Sequence, residues 1–172
     1  INFSGGSLIV ELSNAANEFV IADAIRIERI GDLPAVQIPA VQIIDDGDQA
    51  FTSTGFATAA GQGFDNDVQY AAAGNGLAIA RWRFNNLTAG QYRVSATWSP
   101  HANRATNTPF VIKDTAGNQL RMASVNQESS PGDFVDANVG WRDLGASINF
   151  SGGSLIVELS NAANEFVIAD AI

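Results

Sequence analysis

An antiparallel β-sandwich is the fold class that this sequence predicts, and three observations predict it. Short runs alternate apolar with polar residues, as half-buried strands do. Glycine-, asparagine- and proline-containing turns separate them at short intervals. No stretch sustains a helical period with caps. Some eight or nine strands of this kind make an all-β sandwich or jelly roll. A chain of 172 residues, 46% of them apolar, is long enough to enclose one sizeable core.

Charge narrows the function. The formal net charge is −9 and the pI is near 4.3, with one lysine among nine basic residues. Nothing here forms the basic patch that nucleic acid or an anionic membrane surface requires. No apolar run approaches twenty residues, so no membrane insertion is expected. There is no cysteine, which excludes disulfides and thiolate chemistry. An acidic, lysine-poor, cysteine-free chain suits an extracellular or cell-surface protein of bacterial type.

The chain begins and ends on the same twenty-five residues. "INFSGGSLIVELSNAANEFVIADAI" occupies Ile1–Ile25 and again Ile148–Ile172 without a substitution, a period of 147 residues. That period is the size of a domain and too long for a solenoid repeat. The expected organisation is a tandem array. Residues 1–30 are the closing strands of a preceding repeat, 31–42 a connector, and 43–172 a sandwich unit lacking its last strand residues. A start inside a strand region marks a segment of something longer.

The elements follow in order. In the closing segment "LIVELS" pairs through "SNAANE" with the run that starts at Phe19. The connector "GDLPAVQIPAVQ" holds "PAVQI" twice, and its prolines favour an extended course. Twelve residues at about 3.1 Å each span about 37 Å. Pro34, Val36, Ile38, Pro39 and Val41 are too apolar for a free spacer, so the connector is expected to pack between repeats. "LAIARWRF" and "QYRVSATW" read as a hairpin across "NNLTAG". Ala78, Ala80, Trp82 and Phe84 face inward, and so do Tyr92, Val94, Ala96 and Trp98. "PFVIKD" with "QLRMASVNQ" is a second hairpin, and "WRDLGASINF" with "LIVELS" a third.

Candidate functional residues cluster in two places. The loop "WSPHANRATNTPF" carries Trp98, His101, Asn103, Arg104 and Asn107. A planar guanidinium, amides and an aromatic can bind sugar hydroxyls, and loops on a rigid sandwich are where binding sites sit. The alternative is that they satisfy the loop's own backbone. Asp45, Asp46 and Asp48 surround Gly47, with Asp65 and Asp67 in a later turn. Carboxylates so grouped are candidate calcium ligands, against a plain solvated turn. The pattern is not the twelve-residue calcium loop, and no other cofactor is expected. In "FVIADAIRI", Asp23 and its copy Asp170 fall on the apolar face. A buried carboxylate demands a partner, and Arg104 is the expected one in an architectural pair. A lone histidine without a serine or cysteine motif argues against an enzyme.

Taken together, "IIDDGDQAFTSTG", "YAAAGNG", "WSPHANRATNTPF", "VNQ", "WRDLG" and "FVIADAIRIE" resemble the golvesin C-terminal-like domain, also called the xanthan-lyase carbohydrate-binding-like domain. The resemblance implies a galactose-binding-like jelly-roll sandwich attached to secreted bacterial hydrolases or large surface proteins. It also implies a carbohydrate-binding role. Phe56 stands where the family has a tryptophan after "TG", which weakens a sugar platform at that position.

Two functions are therefore expected to compete. The first is a structural repeat of a long extracellular fibre or giant adhesin, with neighbouring copies of itself as partners. The second is a non-catalytic carbohydrate-binding module with a polysaccharide partner. Within the first, Ile148–Ile172 is the expected occupant of the body that precedes it, because consecutive elements usually pack together.

Overall fold

Alternation decides which way the long strands face. In the computed structural model, Ala80, Trp82 and Phe84 of one strand are buried, while Arg81 and Arg83 look outward. The structure describes residues 7–11, 13, 15, 17, 24, 26 and 41–172. It divides into two units, Ile1–Ala40 and Val41–Ile172. Asp23, Pro34, Val36, Ile38 and Pro39 lie outside the described residues, and Val41 is exposed.

The second unit is all-β. Its strands are β1 Phe51–Thr54, β2 Ala57–Ala60, β3 Asp67–Ala71, β4 Ile79–Leu87, β5 Gly90–Tyr92, β6 Ser95–Ala96 and β7 Thr108–Asp114. They continue as β8 Gln119–Val125, β9 Phe134–Asp136, β10 Val139–Asp143, β11 Ile148–Phe150, β12 Gly153–Ser160 and β13 Val167–Ala169. A single 3-10 turn, Phe64–Asn66, precedes β3.

One layer is a five-stranded antiparallel sheet in the order β1-β4-β12-β7-β8. Smaller ladders β13-β3-β2, β6-β10-β9 and β11-β5 complete the sandwich. Phe51, Trp82, Phe110, Leu155, Val157 and Leu159 from the large sheet share one core with Val68, Val167 and Ile168. Trp82 is its centre, 5.1 Å from the Phe51 ring and 6.3 Å from the Phe110 ring.

The second copy of the repeated segment supplies β11, β12 and β13. β12 lies between β4 and β7, hydrogen-bonded to both. That position corrects two expected hairpins. β4 pairs with β1 and β12, while β5 and β6 pair with β11 and β10. β12 likewise takes no part in a hairpin with β11. The hairpin of β7 and β8 forms as read. After β12 the chain crosses to the other layer, where β13 pairs with β3. Asn161 holds that crossing. Its side chain accepts from the Gly76 and Ala78 amides at 3.1 and 3.2 Å and donates to the Ala72 carbonyl at 3.0 Å.

On the solvent face a charged row crosses the middle three strands. Arg81 Nε donates to Glu158 Oε1 at 2.7 Å, and the Lys113 amine meets Glu158 Oε2. Arg81 is directly opposite Glu158 in the register, and Lys113 is diagonal to it. Burial alone would raise the Glu158 carboxyl, but the hydrogen bonds and charges of Lys113 and Arg81 outweigh it and hold the pKa below 4.5. A lowered folded pKa adds stability above the unfolded value, and that stability is lost as pH falls through the folded value. Glu158→Gln should therefore lower the melting midpoint at pH 7 by roughly 2–4 °C, for about 1 kcal/mol. The gap should narrow as the pH falls below 4.5 and through the lowered folded value, and melts across the acid range check it.

Candidate functional site

The loop that follows β6 packs its aromatic inward. Trp98 is buried, and its indole N–H donates to the Ser129 carbonyl at 2.9 Å. Its flank lines a shallow groove of about 370 Å³ with Thr106, Ser124, Asn126, Ser129 and Arg142. His101 is exposed, its Nδ1 lying 2.8 Å from Asn103 Oδ1. Arg104 Nη1 donates to the same oxygen at 2.9 Å, and Nη2 reaches Gln62 Oε1 at 3.4 Å. The expected Arg104–Asp170 pair does not form. The Arg104 guanidinium bonds Asn103 and Gln62 instead, and a bridge to Phe166 holds its loop beside the end of the crossing segment.

Asn107 has an architectural contact. Its Oδ1 accepts from the Asn164 amide at 2.9 Å, and Asn164 Oδ1 accepts from Thr106 N–H at 3.0 Å. The loop and the β12–β13 crossing are thus stitched side by side. Gln127, which sequence reading passed over as part of "VNQ", completes the stitch from inside. It is fully buried, donates to the Ile168 carbonyl and accepts from the Ile168 amide, both at 2.8 Å. Thr108 Oγ1 donates to it at 3.0 Å. The side-chain amide acts as one more rung for β13. A glutamine beside an apolar strand end was the available signal.

The second group is acidic and buried. Ile44 and Ile172 exchange backbone hydrogen bonds at 3.0 and 3.1 Å, which lays the turn containing Asp45 and Asp46 alongside Asp170. The start of β3 adds Asp67. Oxygens of Asp45, Asp46 and Asp67 all lie within 4.8 Å of one another. Asp48 stays out of this group. It is exposed, and its Oδ2 accepts from the Asp45 amide at 2.9 Å, closing the turn. Asp65 is exposed as well.

Asp170 is 2% exposed. Its Oδ1 accepts from the Phe64 amide at 2.9 Å, and its Oδ2 has no partner. The Asp170 oxygen has room only because residue 63 is glycine at φ 82°. A Cβ there would stand 2.5 Å from the Asp67 carbonyl oxygen and 2.9 Å from Asp170 Oδ2. Asp46 has both carboxylate oxygens buried without partners, and Asp45 has one. Burial, then the charges of Asp45 and Asp67, push the Asp46 carboxyl up to about 7. Burial, with the charges of Asp45, Asp46 and Asp67, pushes Asp170 to about 8.

The golvesin C-terminal domain family matches residues 42–172. The chain belongs to that family. A solved xanthan lyase from Paenibacillus is similar at 27% identity with a TM-score of 0.60, over 75% of this chain. The chain spans only 12% of that lyase. No curated protein matches significantly.

In this golvesin-type domain the segments that carry the sequence resemblance are largely those that stitch it. "NRATN" ties to the β12–β13 crossing, "VNQ" supplies Gln127, and "YAAAGNG" wraps Asn161. Phe56 is half-buried against the core. Gln127→Ala should cost about 2–4 kcal/mol, since it strands the buried Ile168 amide and carbonyl. Chemical denaturation measures it, with Asn126→Ala in the exposed neighbour expected to stay within about 0.5 kcal/mol.

Proposed function

We propose that this chain is one period and a fraction of a long extracellular bacterial fibre or giant adhesin, in which golvesin-type sandwiches follow one another head to tail. Its role is structural and non-catalytic. One observation carries the reading: the same sequence has two fates. In the second copy Leu155 and Val157 are 2% and 1% exposed within the core. Their twins in the first copy, Leu8 and Val10, are 44% and 61% exposed. A segment built to be buried, and standing open, is the closing part of a neighbouring repeat.

The partners on this reading are further copies of the same unit, joined by the apolar connector 31–42. Electron cryo-microscopy of the polypeptide at native length tests it. The expected result is a continuous filament with one axial repeat per sandwich and an ordered connector between sandwiches. Freely hinged beads would overturn it.

The groove beside Trp98 and the likeness to a xanthan lyase favour a second role, binding of polysaccharide. Affinity electrophoresis in gels cast with xanthan and with neutral glucans reads this directly. Retardation that Arg142→Ala removes would support binding through the groove. Equal mobility in every gel would leave the structural role alone.

A further inference from the structure

The two ends of the sandwich meet at one place, and that place holds a concentration of buried carboxyl groups. Asp45 and Asp46 come from the turn that opens the unit, Asp67 from the start of β3, and Asp170 from the residue that follows β13. Asp45, Asp46 and Asp170 are 6%, 5% and 2% exposed. Among the described residues, no cationic side chain pairs with any of the four. Asp46 keeps two oxygens, and Asp45 and Asp170 one each, buried without a hydrogen-bond partner. Uncompensated buried carboxylates are costly, and they are normally paired or bound to a metal.

From this convergence we propose that Asp45, Asp46 and Asp67 bind a calcium ion that ties the entering turn to β3, beside the unpartnered Asp170 Oδ2 at the leaving end of the domain. The donor set is all oxygen, which suits a hard cation. The 4.8 Å limit on the oxygens of Asp45, Asp46 and Asp67 fits the span across calcium, about 4.6–5.2 Å for bonds of about 2.3–2.6 Å. Direct carboxylate ligands in a buried site favour calcium over magnesium, which holds on to its water. The position gives the ion a task. Ile44 and Ile172 leave the sandwich side by side on antiparallel backbones, so tension between them would peel that pair apart one bond at a time. An ion held by Asp45, Asp46 and Asp67 sits just inside the opening pair, with the buried Asp170 carboxyl next to it. The inference does not require the fibre reading, since a lone domain would bind the ion equally well.

The test uses the full chain, stripped with chelator and titrated with calcium chloride in a calorimeter, with melts in parallel. Saturable heat is expected with a dissociation constant of roughly 10⁻⁴–10⁻³ M, the range of extracellular modules. At 10 mM calcium the midpoint should rise by roughly 3–8 °C. Asp46→Asn should abolish the response while melting higher than the stripped parent, because it removes one of the repelling charges. That rise shows that the variant is folded. Asp48→Asn should respond like the parent. A chain extended by the "RIERI" that follows the first copy should also respond. Absence of heat and shift, an undiminished response in Asp46→Asn, or its loss in the extended chain would each overturn the site. An equal response to magnesium would overturn the assignment to calcium.

Discussion

The insertion of β12 between β4 and β7 is the interaction on which the rest of this domain depends. A five-stranded sheet whose middle strand comes from the last twenty-five residues cannot assemble from the chain in order. β4 and β7 have no sheet between them without β12, and Trp82 has no apolar neighbours on that side until Leu155, Val157 and Leu159 line up beside it. Each of those side chains contributes about 1.5–3 kcal/mol by leaving water. The closing segment then crosses to the opposite layer, where Val167 and Ile168 complete the other half of the same core. Pairings this distant in sequence carry a high loop-closure cost, which the packing of the segment must offset.

Much of the polar chemistry serves that crossing. A segment that passes from one layer to the other needs fixed attachment points, and the asparagines and glutamine supply them. Asn161 receives the Ala72–Ala78 loop, Asn164 receives the Trp98–Phe110 loop, and Gln127 grips Ile168 inside the core. Of the residues that look like a sugar-binding set from their types, Trp98 and Asn107 hold backbone, and Arg104 bonds the side chains of Asn103 and Gln62. What remains open on this side is the groove beside Trp98 and the exposed His101. The acidic cluster has the opposite character. Its oxygens are buried and hold surplus acceptor capacity where the two ends meet.

The sequence made several things legible. The alternation of Ala80, Trp82 and Phe84 assigned the inner face of β4, because period two is a local property. The β7–β8 hairpin was readable for the same reason. The inward position of Asp170 was readable from its apolar neighbours. Partnerships were not. β4 was read with β5 and β6 because they are adjacent, whereas the strand between β4 and β7 comes from some seventy residues further along. Arg104 was read as the partner of Asp170 on charge alone, yet the Phe64 amide meets that carboxylate and Arg104 turns to Gln62. Asp48 was read with Asp45 and Asp46 from proximity in sequence. The turn uses it as a cap, and Asp67 takes its place in space.

The repeat has its meaning in this setting. If the closing segment completes the sandwich, its twin at the start of the chain must be able to do the same. The direct measurement compares two shortened chains by circular dichroism, hydrogen exchange and sedimentation. Residues 43–147 hold the body with neither copy, and residues 1–147 hold the body with only the first. The account predicts that 43–147 is unfolded. It predicts that 1–147 folds as a monomer, with Ile1–Ile25 seated between β4 and β7 and protected there. A folded 43–147, or a 1–147 chain that stays unfolded, would contradict it.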